Sequence, residues 1–590
     1  MRNFLKNVGA TVVGIFVFVI IVGVLGMMSI VGMVASESTT KDVAKNTVFV
    51  INLSGQLEER SADNPIAQIL GENTAGMGLD DMLSSIKKAK ENENVKGIYI
   101  EAGLFSADSY ASLQAIRKAL ADFKKSGKWI VAYGDTYTQA TYYLASVANK
   151  VYLNPSGMID WHGLASQPMY LKDALAKFGV KMQVVKVGAY KSATETFTGD
   201  RMSDANREQI TAYLNGIWQT VCSDVAESRK VSVEKLNQYA DNMITFADPK
   251  DYVSAKLVDA LLYHDQIKDE VKKLMKLGKD DTLNTIGIAG MMNVPTGGSD
   301  GEEIAVYYAY GDIVDGVGGA LSQTEAVIDG NTVSKDLQKL ADDDDVKAVV
   351  IRINSGGGSA YASEQMWRAI QLLKAKKPVV VSMGGMAASG GYYMSCSANW
   401  IVAEPTTLTG SIGIFGMFPD MSGLITQKLG VKFDEVKTNK NSAFGTSARP
   451  FNDEEMSHLT AYIDRGYKLF RKRVADGRHM PVENVEKIAQ GHVWLGKDAL
   501  KIKLVDQLGG LDDAVAKAAS LAKVGEYYTC AYPAKADWMD QFMEGMSSGS
   551  YIDNKMRLAM GDLYPTFMLL KNINQQSAIQ ARIPYTINIK

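Results

Sequence analysis

Ser389 sits in Met383-Gly384-Gly385-Met386-Ala387-Ala388-Ser389-Gly390-Gly391-Tyr392-Tyr393, a serine among small residues. In a strand-to-helix turn, such a hydroxyl stands exposed at the carboxyl edge of a sheet, and the N–H groups that follow are free to receive an oxyanion. Upstream, Asn354-Ser355-Gly356-Gly357-Gly358-Ser359 supplies three consecutive glycines, whose backbone can approach a reacting carbonyl with no Cβ in the way. An N–H from this turn (Gly357 or Gly358) and that of Gly390 would form an oxyanion hole, the equipment of acyl transfer. The alternative is a glycine-rich packing turn. A serine nucleophile needs a proton acceptor, and no histidine pattern accompanies these segments. A lysine of lowered pKa is the other option. Lys191, in Val187-Gly188-Ala189-Tyr190-Lys191-Ser192-Ala193, has uncharged neighbours, although most lysines are solvated surface charges. Metal chemistry is not expected: Cys222, Cys396 and Cys530 are far apart, and the five histidines form no HExxH pattern.

The elements that must carry these residues come in two copies. VKGIYI (95–100) is echoed by VKAVVI (346–351), and YYLASVANKVYLNP (142–155) by YYMSCSANWIVAEP (392–405), with an offset near 250. Each copy alternates β-branched runs with helix-period segments, which predicts βα crossover units and a largely parallel sheet, an α/β fold. Divergence between copies is informative. At the offset of 250, Ser389 falls on Gln139, and the triple-glycine turn falls on Ala102-Gly103-Leu104-Phe105-Ser106, so the first copy lacks this site. Lys191 falls on Asn441, with Lys440 one position away.

The run from Asn7 to Ser36 has no Asp, Glu, Lys or Arg, and as a helix its thirty residues would exceed a ~30 Å hydrocarbon core. Arg2 and Lys6 before it predict a retained anchor over 1–36, with the body beyond the membrane. A cleaved signal peptide is the alternative, but its apolar region is usually only about 7–15 residues. The expected units are 46–293, 303–523 and a tail, 524–590, with a linker-like join at Asn293–Glu303. The tail reads as a docking segment or a local core patch. Lys+Arg 63 against Asp+Glu 66 gives no support to nucleic acid as a partner.

SMGGMAASGGYYMS (382–395), TLTGSIGIFG (407–416), NSGGGS (354–359) and VGAYKSATETF (187–197) resemble the signal peptide peptidase A (protease IV) family in its long, duplicated, membrane-anchored form. The resemblance covers nearly the whole chain. It implies two tandem Clp protease/crotonase-like repeats after an N-terminal transmembrane helix, and a serine peptidase with a Ser/Lys dyad that degrades cleaved signal peptides and other unfolded hydrophobic peptides. Matched by motif, the nucleophile falls on Ser389, the general base on Lys191 and a lysine-orienting serine on Ser411. The oxyanion glycines fall on Gly357, Gly358 and Gly390. Gly356 stands where the common pattern has Pro, which loosens the turn and leaves open which N–H faces the oxyanion. Ser355 and Ser359 read as turn-capping hydroxyls.

The resemblance further implies no cofactor, contact with membrane lipid through the anchor, a homotetramer, and a single-pass bacterial inner-membrane protein with a periplasmic body. Apolar substrates would meet pockets lined by Ile412, Ile414, Phe415 or Met417, residues that can equally be plain core. Two other readings compete. A crotonase-like acyl-thioester enzyme shares the oxyanion logic but fits the anchor poorly. A non-catalytic membrane scaffold would not need Ser389, the glycine turn and Lys191 together.

Overall fold

The computed structural model describes residues 42–61, 77–278, 280–295, 301–316, 326–535 and 578–583, with isolated positions at 14, 15, 17, 18, 21 and 556. Short β-branched runs form its central strands. Val346–Ser355 is buried along most of its length on both faces, as expected for a parallel strand covered by helices. Beside it lie Val379–Ala388 and Glu302–Tyr310, both parallel. Leu408–Gly410 and Trp400–Ala403 extend the sheet, and Tyr527–Tyr532 closes the other side. The first copy repeats the plan: Thr47–Glu58, Val95–Ala107, Trp129–Tyr137 and Lys150–Ile159 run parallel in adjacent positions. Helices recur at matched places, Tyr110–Lys124 with Ala360–Lys374 and Asp204–Arg229 with Asp453–Arg478.

The copies are fused rather than merely tethered. Ala388, Leu408, Val493 and Leu495 of the second half belong to the hydrophobic core of the first. The Arg352 guanidinium donates to Glu59 at 2.6 Å across the junction, with both side chains almost fully buried. A third sheet crosses the boundary outright. Lys181–Lys186 of the first copy runs antiparallel to Phe415–Asp420 of the second, which in turn flanks Ile579–Arg582. Ile579–Arg582 pairs on its other edge with Gly357–Ser359. The expected tail therefore contributes strands to two sheets.

The α/β expectation holds, but its membrane component is corrected. The anchor expected over Asn7–Ser36 falls, apart from five isolated positions, outside the described residues. Among the described residues no helix is long and apolar enough to cross a membrane. The longest helices, Asp204–Arg229 and Asp453–Arg478, carry charges throughout and pack one face on a core. The transmembrane helix, the membrane-anchored form, the lipid contact and the single-pass inner-membrane placement are accordingly withdrawn.

Candidate active site

Ser389 precedes the short helix Gly390–Ser395 with φ 55° and ψ −109°. Such a backbone costs on the order of 1–3 kcal/mol and persists only where its surroundings enforce it. Here the Ser389 N–H donates to the Gly410 carbonyl at 2.8 Å, and the Ser389 carbonyl accepts from Tyr393 N at 2.7 Å. Small neighbours make the turn possible: a Cβ on Gly390 would lie 2.6 Å from the Ser363 hydroxyl. At the corresponding place in the first copy, Gln139 lies inside a regular helix. Its amide is spent on a loop, donating to the Gly163 carbonyl and accepting from His162 and Gly163 N–H. That copy presents no nucleophile there.

Lys191 arrives from the other copy. Lys181–Lys186, zipped onto Phe415–Asp420, delivers the loop that follows it to the Ser389 turn. The Lys191 ammonium nitrogen stands 2.6 Å from Ser389 Oγ, 3.0 Å from Ser411 Oγ and 3.1 Å from the Ser411 carbonyl. All three residues are completely buried. Burial holds the Lys191 pKa well below the ordinary lysine range, and no carboxylate acts to raise it. Glu195, four residues on, is engaged elsewhere, accepting from the Ser203 hydroxyl at 2.6 Å and the Asn206 amide at 3.0 Å. The second copy's near-match, Lys440, is an exposed residue paired with Glu454.

A clamp that no motif announced fixes the lysine loop. Tyr190 N donates to the Gln490 carbonyl at 2.9 Å, Gly491 N to Ile412 O at 2.9 Å, and Ser411 N to His492 O at 2.7 Å. Gln209, on the long helix of the first copy, donates to Tyr190 O at 3.1 Å and accepts from Val493 N at 3.2 Å. Gly491 has φ +79°, and a Cβ there would fall 2.6–2.7 Å from the Lys191 backbone and Cβ. Gln209 and residues 490–492 escape sequence reading because each acts through the backbone of a distant segment.

The glycine turn closes the remaining side. Val346–Ser355 ends at Ser355, where the first copy's strand runs on to Ala107. Gly357 and Gly358 take φ of +100° and +156°. The Gly357 N–H donates to Ser355 Oγ at 3.1 Å, while Ser359 caps the next helix by accepting from Ala362 N. Gly357 and Gly390 face each other: a Cβ on Gly357 would lie 2.7 Å from Gly390 N. Of the expected pocket residues, Ile412 and Ile414 belong to the second core and Phe415 is buried beside it, with Met417 half-buried. Among the described residues no group of His, Cys, Asp and Glu is arranged to hold a metal ion.

Comparison with known proteins returns a match to peptidase family S49 over residues 122–278 and 371–525, together more than half of the chain. A Clp protease family match covers residues 318–402, which include the glycine turn and Ser389. Protease 4 of Salmonella typhi is 37% identical over 549 residues, spanning 90% of this chain and 87% of its own. Protease 4 of Haemophilus influenzae is 33% identical, spanning 84% and 83%. The chloroplastic serine protease SPPA of Arabidopsis thaliana is 32% identical, spanning 82% and 70%.

Proposed function

Because the chain belongs to peptidase family S49, and so is a serine protease, we propose that it cleaves peptide bonds with Ser389 as nucleophile and Lys191 as general base. The observation that carries this reading is the 2.6 Å contact between the Lys191 amine and the Ser389 hydroxyl, buried and free of any nearby carboxylate. A neutral lysine amine has two N–H donors and one lone pair. Two donors match the hydroxyl and carbonyl of Ser411, at 3.0 and 3.1 Å, and leave the lone pair for the Ser389 proton. Ser411 thus orients the base.

In the first step Ser389 Oγ attacks the substrate carbonyl as Lys191 takes its proton. The Gly390 N–H and an N–H of the Gly357–Gly358 turn receive the developing oxyanion. Gly357 N must leave Ser355 Oγ if it is the second donor, whereas Gly358 N need not. Protonated Lys191 then gives its proton to the leaving amine. Water, activated by the same lysine, hydrolyses the acyl ester. The chemistry uses no cofactor. The substrates proposed are unfolded apolar peptides of the kind signal peptides leave behind, in keeping with a relative from Enterococcus faecium described as a putative signal peptide peptidase.

Incubating the purified chain with an apolar peptide ester tests this reading. Acyl mass should appear on the tryptic peptide containing Ser389, and it should vanish in Lys191→Ala. Acylation elsewhere, or on Ser389 without need of Lys191, refutes it.

A further inference from the structure

Ile579–Arg582 lies where a peptide substrate would lie. It is an antiparallel strand held on both edges, Gly358 opposite Ala581 and Ser359 opposite Gln580 on one side, Phe415 opposite Gln580 and Gly416 opposite Ile579 on the other. Bonds at its ends extend the zipper: Met417 N donates to the Ala578 carbonyl at 3.0 Å, and Ile583 N to the Gly356 carbonyl at 2.8 Å. The two flanking segments are the glycine turn and the strand that begins two residues after Gly413, whose carbonyl faces Ser389 Oγ at 3.5 Å.

The carbonyl of Ala581 meets the oxyanion glycines. A Cβ on Gly357 would fall 2.0 Å from the Ala581 oxygen and 2.7 Å from Gly390 N, and a Cβ on Gly390 would fall 3.1 Å from the same oxygen. The absence of side chains at 357 and 390 leaves room for this carbonyl. Ala581 itself is completely buried, so its side-chain site admits only a small group. Beyond it, Arg582 pairs with Asp312 at 2.8 Å, which fixes the residue on the leaving side of the bond.

We propose that the chain is its own substrate and that Ser389 cuts the bond between Ala581 and Arg582. The inference rests on the peptidase reading above. Ser389 Oγ adds to the Ala581 carbonyl carbon while its proton passes to Lys191. The Ala581–Arg582 C–N bond breaks, and Lys191 returns the proton to the Arg582 amine. Water then adds to the Ala581–Ser389 ester, giving its proton through Lys191 back to Ser389 Oγ. The products are a chain ending in the Ala581 carboxylate and a released segment beginning at Arg582, whose departure opens the groove to other peptides.

The test follows intact mass and C-terminal peptides of the purified full-length chain over time and across a dilution series. The wild type should convert, during purification or on standing, to a form ending at Ala581, by a first-order process independent of concentration. Ser389→Ala should stay whole, and Ala581→Trp should slow the cut by more than about tenfold because the buried site has no room for the ring. A wild type that hydrolyses an unrelated fluorogenic peptide but keeps the Ala581–Arg582 bond, or is cut only elsewhere, overturns this inference and leaves the peptidase reading intact. Rates that grow with protein concentration overturn the intrachain assignment. A wild type inactive on every peptide, its own segment included, overturns the peptidase reading and the inference with it.

Discussion

Gly491→Ala adds one methyl group, and the structure says where it goes. The new carbon would sit 2.6–2.7 Å from Lys191 N, Cα and Cβ. Carbon atoms in van der Waals contact rest ~3.5–4.0 Å apart, so the lysine loop must withdraw by about 1 Å. A displacement of that size in a catalytic group costs on the order of 100-fold in rate. The left-handed backbone at Gly491 (φ +79°) adds a second penalty, about 1–2 kcal/mol of stability. Gly127→Ala separates the two effects, since it has φ +83° and nothing within 4 Å of its would-be Cβ. Both variants should lose similar amounts of thermal stability from the backbone term. Only Gly491→Ala should lose activity, measured as kcat/KM on a fluorogenic apolar peptide at saturating folded fraction. If Gly491→Ala stays within about threefold of wild type, or Gly127→Ala falls as far, the clamp on Lys191 is not what sets the geometry.

The depressed Lys191 pKa makes kcat/KM rise with pH as the amine becomes neutral, and a flat profile from about pH 5 to 9 with chemistry limiting contradicts a lysine base. The same burial makes stability pH-dependent. Between the lowered folded value and the ordinary lysine range the unfolded chain binds a proton that the folded one does not, so stability rises with pH across that window. Lys191→Met should flatten that slope in denaturant titrations, and an unchanged slope contradicts burial of the amine. Ser411→Ala leaves the base in place but unoriented, and should lower kcat by roughly 10–1,000-fold, less than loss of the dyad itself. Glu59→Ala strands Arg352 in the junction between copies and should cost about 3–5 kcal/mol in urea unfolding. Replacing both by apolar residues should recover much of that loss, and a simple sum of the two single effects would refute the coupling.

Much of this architecture is legible along the chain because duplication doubles the signal. VKGIYI and VKAVVI repeat a buried strand, and both occur at the centre of parallel sheets. The segments around Ser389 and Lys191 stand out because one copy has them and the other does not. What a linear reading lacks is distance. Lys191 and Ser389 are 198 positions apart, and only the cross-copy pairing of Lys181–Lys186 with Phe415–Asp420 brings them together. Ile579–Arg582 is too short to show a strand period, and its partners lie far upstream. The Gln490–His492 clamp works through backbone atoms, which any sequence supplies equally. Hydropathy misleads in the opposite direction at the N-terminus, where the apolar run pointed to an anchor that no described helix supports.

The central claim is that residues from the two copies act as one catalytic unit. It is tested most directly by peptide hydrolysis with folded wild type, Ser389→Ala, Lys191→Ala and the double variant under one set of conditions. The account predicts that each single variant falls by on the order of 10³-fold or more and that the double variant is no worse than either. A Lys191→Ala enzyme retaining more than roughly one-tenth of wild-type turnover, or a double variant whose loss is the product of the two single losses, would contradict it.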